Sequence, residues 1–369
     1  MIHKVVLTGG PCAGKSTALS KLESEFLERG FAVLVVPESA TELIQGGVRP
    51  FGDQAIYGVD FQKIILDYQL NKEKSYEQAA HYLEATGRDV IILYDRGVMD
   101  NKAYLDWVDW NKMLKEKSLF ETDLVDRYDL VIHMVTAALG KEDAYTLANN
   151  GARTETKEEA IELDGRTLSA WSNHSNLKVI DNSCDFDEKV ENVLNECLAL
   201  IGEVTSFRDQ RKFVVDSNVI DLELWKNCRS KSRIEQFYLD YPNSPYEYRI
   251  RDQEIDGNHY YTMTVQEKLE DGRSILVQRR RLYQREYLHY LKNEPITDLI
   301  KKTRYTCLQG KEHVRLDLFE NGLTILEVEP ISKDHQVEIP EGIIVLEDVT
   351  KNKNYQNRTL AKTMKKIAV

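Results

Sequence analysis

A chain of 369 residues, 42% hydrophobic and 30% charged, is too long for one small module and too apolar to be disordered, so two domains are expected. Its 49 basic against 61 acidic residues give a formal charge of -12, the wrong sign for a protein that coats nucleic acid, and no nucleic-acid partner is expected. Five widely spaced cysteines without a C-x-x-C argue against a disulfide framework or a structural zinc site and fit the cytoplasm.

The first ten residues read as a strand running into a glycine turn, not as a secretion signal. Short β-rich runs at 5–7, 31–36, 90–94, 130–135 and 177–180 then alternate with longer stretches of helical period, which predicts β-α units around a parallel sheet. A last helix near 186–202 puts Val190, Val193, Leu194, Cys197, Leu198 and Ile201 on one face and stops at a glycine. The predicted boundary falls near 203–206, giving domains 1–203 and 204–369. The first carries a net charge of -14 and the second +2. From residue 208 the pattern changes to period-two strands with turns at Asp256-Gly257-Asn258, Asp271-Gly272 and Asn321-Gly322, the mark of an antiparallel α+β half.

The first site signal is Gly9-Gly10-Pro11-Cys12-Ala13-Gly14-Lys15-Ser16, which fits G-x-x-x-x-G-K-[ST] between a strand and a helical stretch beginning at Thr17. Glycines let the backbone fold its N–H groups around phosphate, Lys15 reaches the β and γ phosphates, and Ser16 is placed to ligate Mg²⁺. ATP and GTP both fit, since the guanine signature N-K-x-D is absent from the sequence. Asp95, ending the third strand, is a candidate metal residue. Glu38, after the second strand, is a candidate general base or second metal contact. Arg153, in a polar segment before the fifth strand, is placed to swing over the γ-phosphate, and Asp181 and Asn182 fall where a base-contacting loop would lie.

With these residues in place, residues 1–202 resemble the AAA-type P-loop domain of NadR-like kinases and TRPL-translocation-defect proteins, on the GGPCAGKST loop, the VPESATELI segment, the strand ending Asp95-Arg96, and the Ile180-Asp181-Asn182 stretch. That resemblance implies nucleotide binding and covers both kinases and regulators.

In the second half, ionic residues recur two apart on successive strands: Arg249 and Arg251, Lys302 and Arg304, Arg315 and Asp317, Glu327 and Glu329. Residues i and i+2 share a strand face, so the pattern fits either a solvated sheet face or a barrel whose ionic face points inward and binds a polyanion. Residues 208–369 are similar to a CYTH domain, the triphosphate tunnel fold, through RKFVV, IEQFYL, YRIR, YYTMTV, KKTRY, VRLD and LEVEP. The family's first-strand E-x-E-x-K signature reads here Arg208-Asp209-Gln210-Arg211-Lys212, so both metal-binding glutamates are replaced and only Lys212 remains. This favours phosphate binding over hydrolysis, with Lys212, Arg249, Arg251, Lys302, Arg304 and Arg315 as phosphate ligands. Asp317, Glu327 and Glu329 stay candidates for one metal ion. A basic tail, with Leu360, Met364 and Ile367 at helical spacing, allows at most a peripheral membrane contact.

The expected fold class is thus an α/β P-loop NTPase domain with a parallel sheet, followed by an α+β antiparallel CYTH-like barrel. The expected ligands are Mg-nucleotide in the first domain and a phosphorylated small molecule or anionic phospholipid in the second. A regulatory role with NTPase activity, a small-molecule kinase, and a triphosphate hydrolase acting in the tunnel are the three functions left open.

Overall fold

A computed structural model describes residues 1–53, 55–140, 156–203, 210–217, 225, 230–241, 244–268, 274–297, 299–309, 312–329 and 337–363. The chain separates into two compact units, Met1–Glu23 with Phe31–Ile201 and Ser24–Gly30 with Gly202–Val369. Arg153, the turn at 271–272 and the tail from residue 364 lie outside the described residues.

The first unit contains, in order, β1 (Ile2–Thr8), α1 (Lys15–Glu28, whose last residues count with the second unit), β2 (Ala32–Val36), α2 (Ser39–Gln45), α3 (Gly58–Glu84), β3 (Val90–Asp95), α4 (Trp107–Glu116), α5 (Glu121–Val125), β4 (Leu130–Met134), α6 (Lys157–Ala170), β5 (Leu177–Ile180) and α7 (Phe186–Leu200). The five strands are parallel in the order β2-β3-β1-β4-β5. Val90, Ile91, Ile92, Leu93 and Tyr94 of β3 are all fully buried, as expected of a central parallel strand covered on both faces. The chain passes from β3 to β4 across β1, so the carboxyl end of β1 lies at a switch point, where open α/β sheets hold their ligands. The register pairs Leu7 with Asp95, which brings the strand leading into the phosphate loop beside the acid that ends β3.

The second unit adds β6 (Arg211–Val215), β7 (Ser230–Tyr238), β8 (Tyr246–Ile255), β9 (Asn258–Lys268), β10 (Ser274–Leu282), α8 (Gln284–Asn293), β11 (Ile300–Gln309), β12 (Glu312–Phe319), β13 (Thr324–Glu329), β14 (Val345–Asp348) and α9 (Asn357–Thr363). Its nine strands form one antiparallel sheet in the order β10-β9-β8-β7-β11-β12-β13-β6-β14. Asp256 and Gly257, both with positive φ (50° and 76°), make the two-residue β8–β9 turn between the paired Ile255 and Asn258.

Both faces of this sheet are covered. One carries Phe213, Phe237, Ile250, Met263, Val314, Leu316, Leu326 and Val328, all buried. The other carries Arg251, Lys302, Arg304, Arg315, Asp317 and Glu327, each at most 8% exposed, so the ionic face is not the solvated side of an open sheet.

Candidate nucleotide site and ionic face

The phosphate loop leaves β1 at Thr8 and enters α1 at Lys15. Gly9 has φ +133°, and a Cβ there would meet the Met134 carbonyl oxygen at 2.0 Å, so β4 passes too close for any side chain. Gly14 likewise has φ +92°. Cys12 adopts φ 56°, a left-handed conformation uncommon for a non-glycine residue. The buried Lys15 ammonium donates to the carbonyls of Gly9 and Gly10, each at 2.9 Å. Ser16 is exposed at the start of α1, while Thr17 is buried.

Two contacts brace the loop from the other side. Gly10 N–H donates to Asp164 Oδ1 of α6 at 2.7 Å, and the same oxygen accepts the Thr136 N–H at 3.1 Å. Thr136 Oγ1 donates to the Pro11 carbonyl. Burial raises the Asp164 carboxyl, but the hydrogen bond to His133 Nε2 at 3.2 Å and these N–H donors hold it below its usual range.

Lys15, Asp95, Glu38, Arg96 and Asp100 form one interacting charge group. Burial raises the Asp95 carboxyl to about 6, with help from the Glu38 charge and against the pull of Lys15 and Arg96. Burial lowers Lys15 to about 8, and the neighbouring Arg96 adds to that. Glu38 is driven the other way: despite burial, Arg96, the Thr41 hydroxyl at 2.7 Å and Lys15 keep it ionised. Arg96 Nε donates to Glu38 Oε1 at 2.7 Å from a strained backbone with φ 68°. Asp100 accepts from Thr8 Oγ1, from Gly97 N–H at 3.0 Å and from Trp171 Nε1 at 3.0 Å, which fixes the end of β1 to the turn after β3. Arg96, Asp100 and Asp164 were missed by motif reading. Only Arg96 had a signal, its place next to Asp95.

Asn182 donates to the carbonyls of Thr136 (2.8 Å) and Leu139 (2.7 Å) and accepts from Lys189 Nζ at 2.7 Å, so its amide braces the loop after β4. Asp181 is exposed and accepts from the backbone and hydroxyl of Ser183.

On the ionic face, the register places Arg304 opposite Asp317, Arg315 opposite Glu327, and Glu327 opposite Lys212. Asp317 is gripped from both sides: Oδ1 accepts from Arg304 Nε at 2.7 Å, while Oδ2 accepts from Arg304 Nη2 at 2.8 Å and Lys302 Nζ at 2.5 Å. These cations overcome burial and hold Asp317 far below its ordinary value. Glu327 pairs with Lys212 at 2.7 Å and Arg304 at 3.3 Å. Glu329 lies in β13 two residues on. Among the described residues no group of three or more His, Cys, Asp or Glu side chains is arranged to hold a metal ion.

Arg249 and Arg251, on β8, make hydrogen bonds to neutral side chains. Arg249 Nη2 donates to Thr264 Oγ1 at 3.4 Å, and Arg251 Nη2 donates to Gln236 Oε1 at 3.3 Å. Burial and the adjacent guanidinium charges lower both, Arg251 to about 10. Arg251 Nε has no hydrogen-bond partner among the described residues.

The second unit also contains carboxylates that its own strands do not supply. Glu28 is 4% exposed; its Oε2 accepts from Arg315 Nε at 2.8 Å, both oxygens lie 3.3 Å from Arg304 Nη1, and Oε1 is 3.9 Å from Arg251 Nη1. Glu25 accepts from Arg315 Nη2 at 3.1 Å and Arg29 Nη1 at 2.7 Å. No sequence signal announced the contacts with Arg304 and Arg315, which join residues more than 270 positions apart.

The family model of the AAA domain matches residues 4–189, about half of the chain, and the chain belongs to that family. Its architecture is an AAA-type P-loop α/β domain followed by an antiparallel sheet with a buried ionic face. Among solved structures, the inorganic triphosphatase NE1496 is similar over 43% of this chain and 96% of its own, at 26% identity and a TM-score of 0.32. The PH1819 protein from Pyrococcus horikoshii OT3 is similar over 35% of this chain and 80% of its own, at 15% identity and a TM-score of 0.27. No curated protein sequence matches the chain. Among the described residues no helix is long and apolar enough to cross a membrane.

Proposed function

We propose that the chain is a regulatory nucleotide-binding protein with NTPase activity, holding Mg-ATP or Mg-GTP in its phosphate loop and a phosphate-rich ligand on the ionic face of its second unit. The observation that carries the reading is the burial of Arg251, Lys302, Arg304 and Arg315 together on one face of the sheet. Burying that many cations is costly unless anions meet them, and phosphate oxygens suit guanidinium donors best. A free polyphosphate and an anionic phospholipid head group share this chemistry, the latter requiring at most peripheral contact with a membrane.

In the first unit the donors of Ser16 and Asp95 are hard oxygens that suit Mg²⁺, and the raised affinity of buried Asp95 for a proton marks a carboxylate that added positive charge would stabilise. Bound Mg²⁺ would neutralise charge on the β and γ phosphates. Lys15 and Arg153 would stabilise the transferred phosphoryl group, and the loop residues from Gly9 to Thr17, with Asp181 and Asn182, would hold the nucleotide.

A second reading, a small-molecule kinase, is favoured by the ionised Glu38 held 2.7 Å from Arg96 beside Asp95 and Lys15. A carboxylate so placed can accept the proton of an acceptor hydroxyl. Triphosphate hydrolysis on the ionic face has less support, because both oxygens of Asp317 are already taken by cations.

The test is equilibrium binding to the full chain. Lys15→Ala should remove Mg-nucleotide binding while leaving tripolyphosphate or phosphoinositide-vesicle binding, and Arg249→Ala with Arg251→Ala should do the reverse. Loss of both ligands from one substitution would refute two sites. Turnover that rises with an added nucleoside or phosphosugar, and stops in Glu38→Gln, would favour the kinase.

A further inference from the structure

The ionic face is divided. Toward β12 and β13 its cations are matched by carboxylates fixed in the sheet, Asp317 for Lys302 and Arg304, and Glu327 for Lys212 and Arg304. Toward β8 and β9, Arg249 and Arg251 donate hydrogen bonds to the neutral oxygens of Thr264 and Gln236. Between these two regions Arg251, Arg304 and Arg315 converge on one carboxylate, Glu28, which comes from a helix end and not from the sheet.

We propose that Glu28 is a built-in competitor of the phosphate ligand: it occupies a seat that one phosphate of a linked chain must take, and it thereby selects for ligands with two or more linked phosphates. The proposal rests on the reading that the ionic face binds phosphate.

Three guanidinium groups around a carboxylate offer the same donors that a phosphoryl oxygen set would use, so the two anions exclude each other by charge and by space. Orthophosphate can settle against Arg249 and the Nε of Arg251, which has no hydrogen-bond partner among the described residues, without moving Glu28. A longer chain anchored at those two arginines extends its next phosphate toward Arg304 and Arg315, where it brings more negative charge than the carboxylate it displaces. Glu28 is the last residue of α1, and displacement would swing its side chain away from the three arginines. The fixed acids Asp317 and Glu327 are held within their strands and would stay.

The experiment is calorimetric titration of the full chain carrying Lys15→Ala, so that the phosphate loop does not contribute, with and without Glu28→Gln. The probes are orthophosphate, tripolyphosphate, and phosphatidylcholine vesicles containing a phosphatidylinositol polyphosphate. Glu28→Gln should tighten tripolyphosphate or vesicle binding at least tenfold and change orthophosphate binding less than twofold. The probe that gains identifies the source of the phosphates. Glu254→Gln, outside the ionic face, should change none of them.

A merely structural salt bridge would predict the opposite sign, with affinity unchanged or weakened as the arginines lose their anchor. Unchanged or weaker binding of both linked-phosphate probes in Glu28→Gln overturns the proposal. If that variant does not fold, Glu28→Asp, one methylene shorter, should give a smaller gain, and no gain there overturns the proposal as well. Absence of binding by either linked-phosphate probe to every variant would instead defeat the phosphate-binding reading itself, and the competitor with it.

Discussion

The two proposed anion sites are built from different parts of the amino acid. In the phosphate loop the donors are main-chain N–H groups, shaped by Gly9 and Gly14 and braced by Asp164 and Thr136, with Lys15 as the one long cation. On the ionic face the donors are guanidinium and ammonium groups on neighbouring strands, held apart and partly neutralised by Asp317, Glu327 and Glu28. A backbone site depends on local geometry, so it is written in consecutive residues. A side-chain site depends on register and on partners far away in sequence.

The contrast can be broken first at the loop. Gly9→Ala would force a Cβ to within 2.0 Å of the Met134 carbonyl, so nucleotide binding should fall by more than a hundredfold while tripolyphosphate binding to a Lys15→Ala chain is unaffected by the loop. If a fluorescent-nucleotide titration of Gly9→Ala matched the wild type, the loop would not be the site.

The next effect belongs to the side-chain site. Arg304→Leu removes the cation shared by Asp317, Glu327 and Glu28 and leaves buried carboxylates under-compensated, which should cost about 3–5 kcal/mol by denaturant unfolding of the second unit's transition. Arg304→Lys keeps the charge but loses the bidentate grip on Asp317, so it should recover only part of that loss. Full recovery by lysine would show that charge alone matters there.

A pH dependence follows from Glu28. Burial works against its ionised form, but Arg304, Arg315 and Arg251 prevail and hold it at about 2, below its ordinary 4.5. A lowered folded value means that the stabilisation is complete above about pH 4.5 and is lost as pH falls through 2; a shift of this size corresponds to about 3 kcal/mol. Glu28→Gln should flatten that acid limb in equilibrium unfolding. An unchanged slope would mean that the guanidinium cluster does not hold Glu28 in solution.

The smallest effect tests the sheet that carries the ionic face. Gly257→Ala, at φ 76° in the two-residue β8–β9 turn, should cost about 1 kcal/mol with no change in ligand affinity.

Much of the fold was legible because its signals are local. The five short apolar runs became the five parallel strands, and α7 at Phe186–Leu200 follows the face drawn from Val190 to Leu198. The alternation at Arg249 and Arg251, Lys302 and Arg304, and Arg315 and Asp317 marks one face of adjacent strands, but alternation alone does not say whether that face meets water. Exposures of 2% for Lys302 and 1% for Asp317 answer that. The Glu28 and Asp164 contacts were illegible for another reason: each is a single acid in an acid-rich stretch, given its partner only by tertiary packing. Asp317 shows the limit of composition as a guide, since a strand carboxylate suited to a metal is instead occupied by Lys302 and Arg304.

The most direct measurement is a crystal structure of the full chain grown with Mg²⁺, a non-hydrolysable nucleotide and tripolyphosphate. The account predicts nucleotide phosphates against the amides of residues 10–16, and separate phosphate density bounded by Arg249, Arg251, Arg304 and Arg315 with Glu28 rotated out of its place. Phosphate density confined to the loop, with Glu28 still seated among its three arginines at saturating tripolyphosphate, would contradict it.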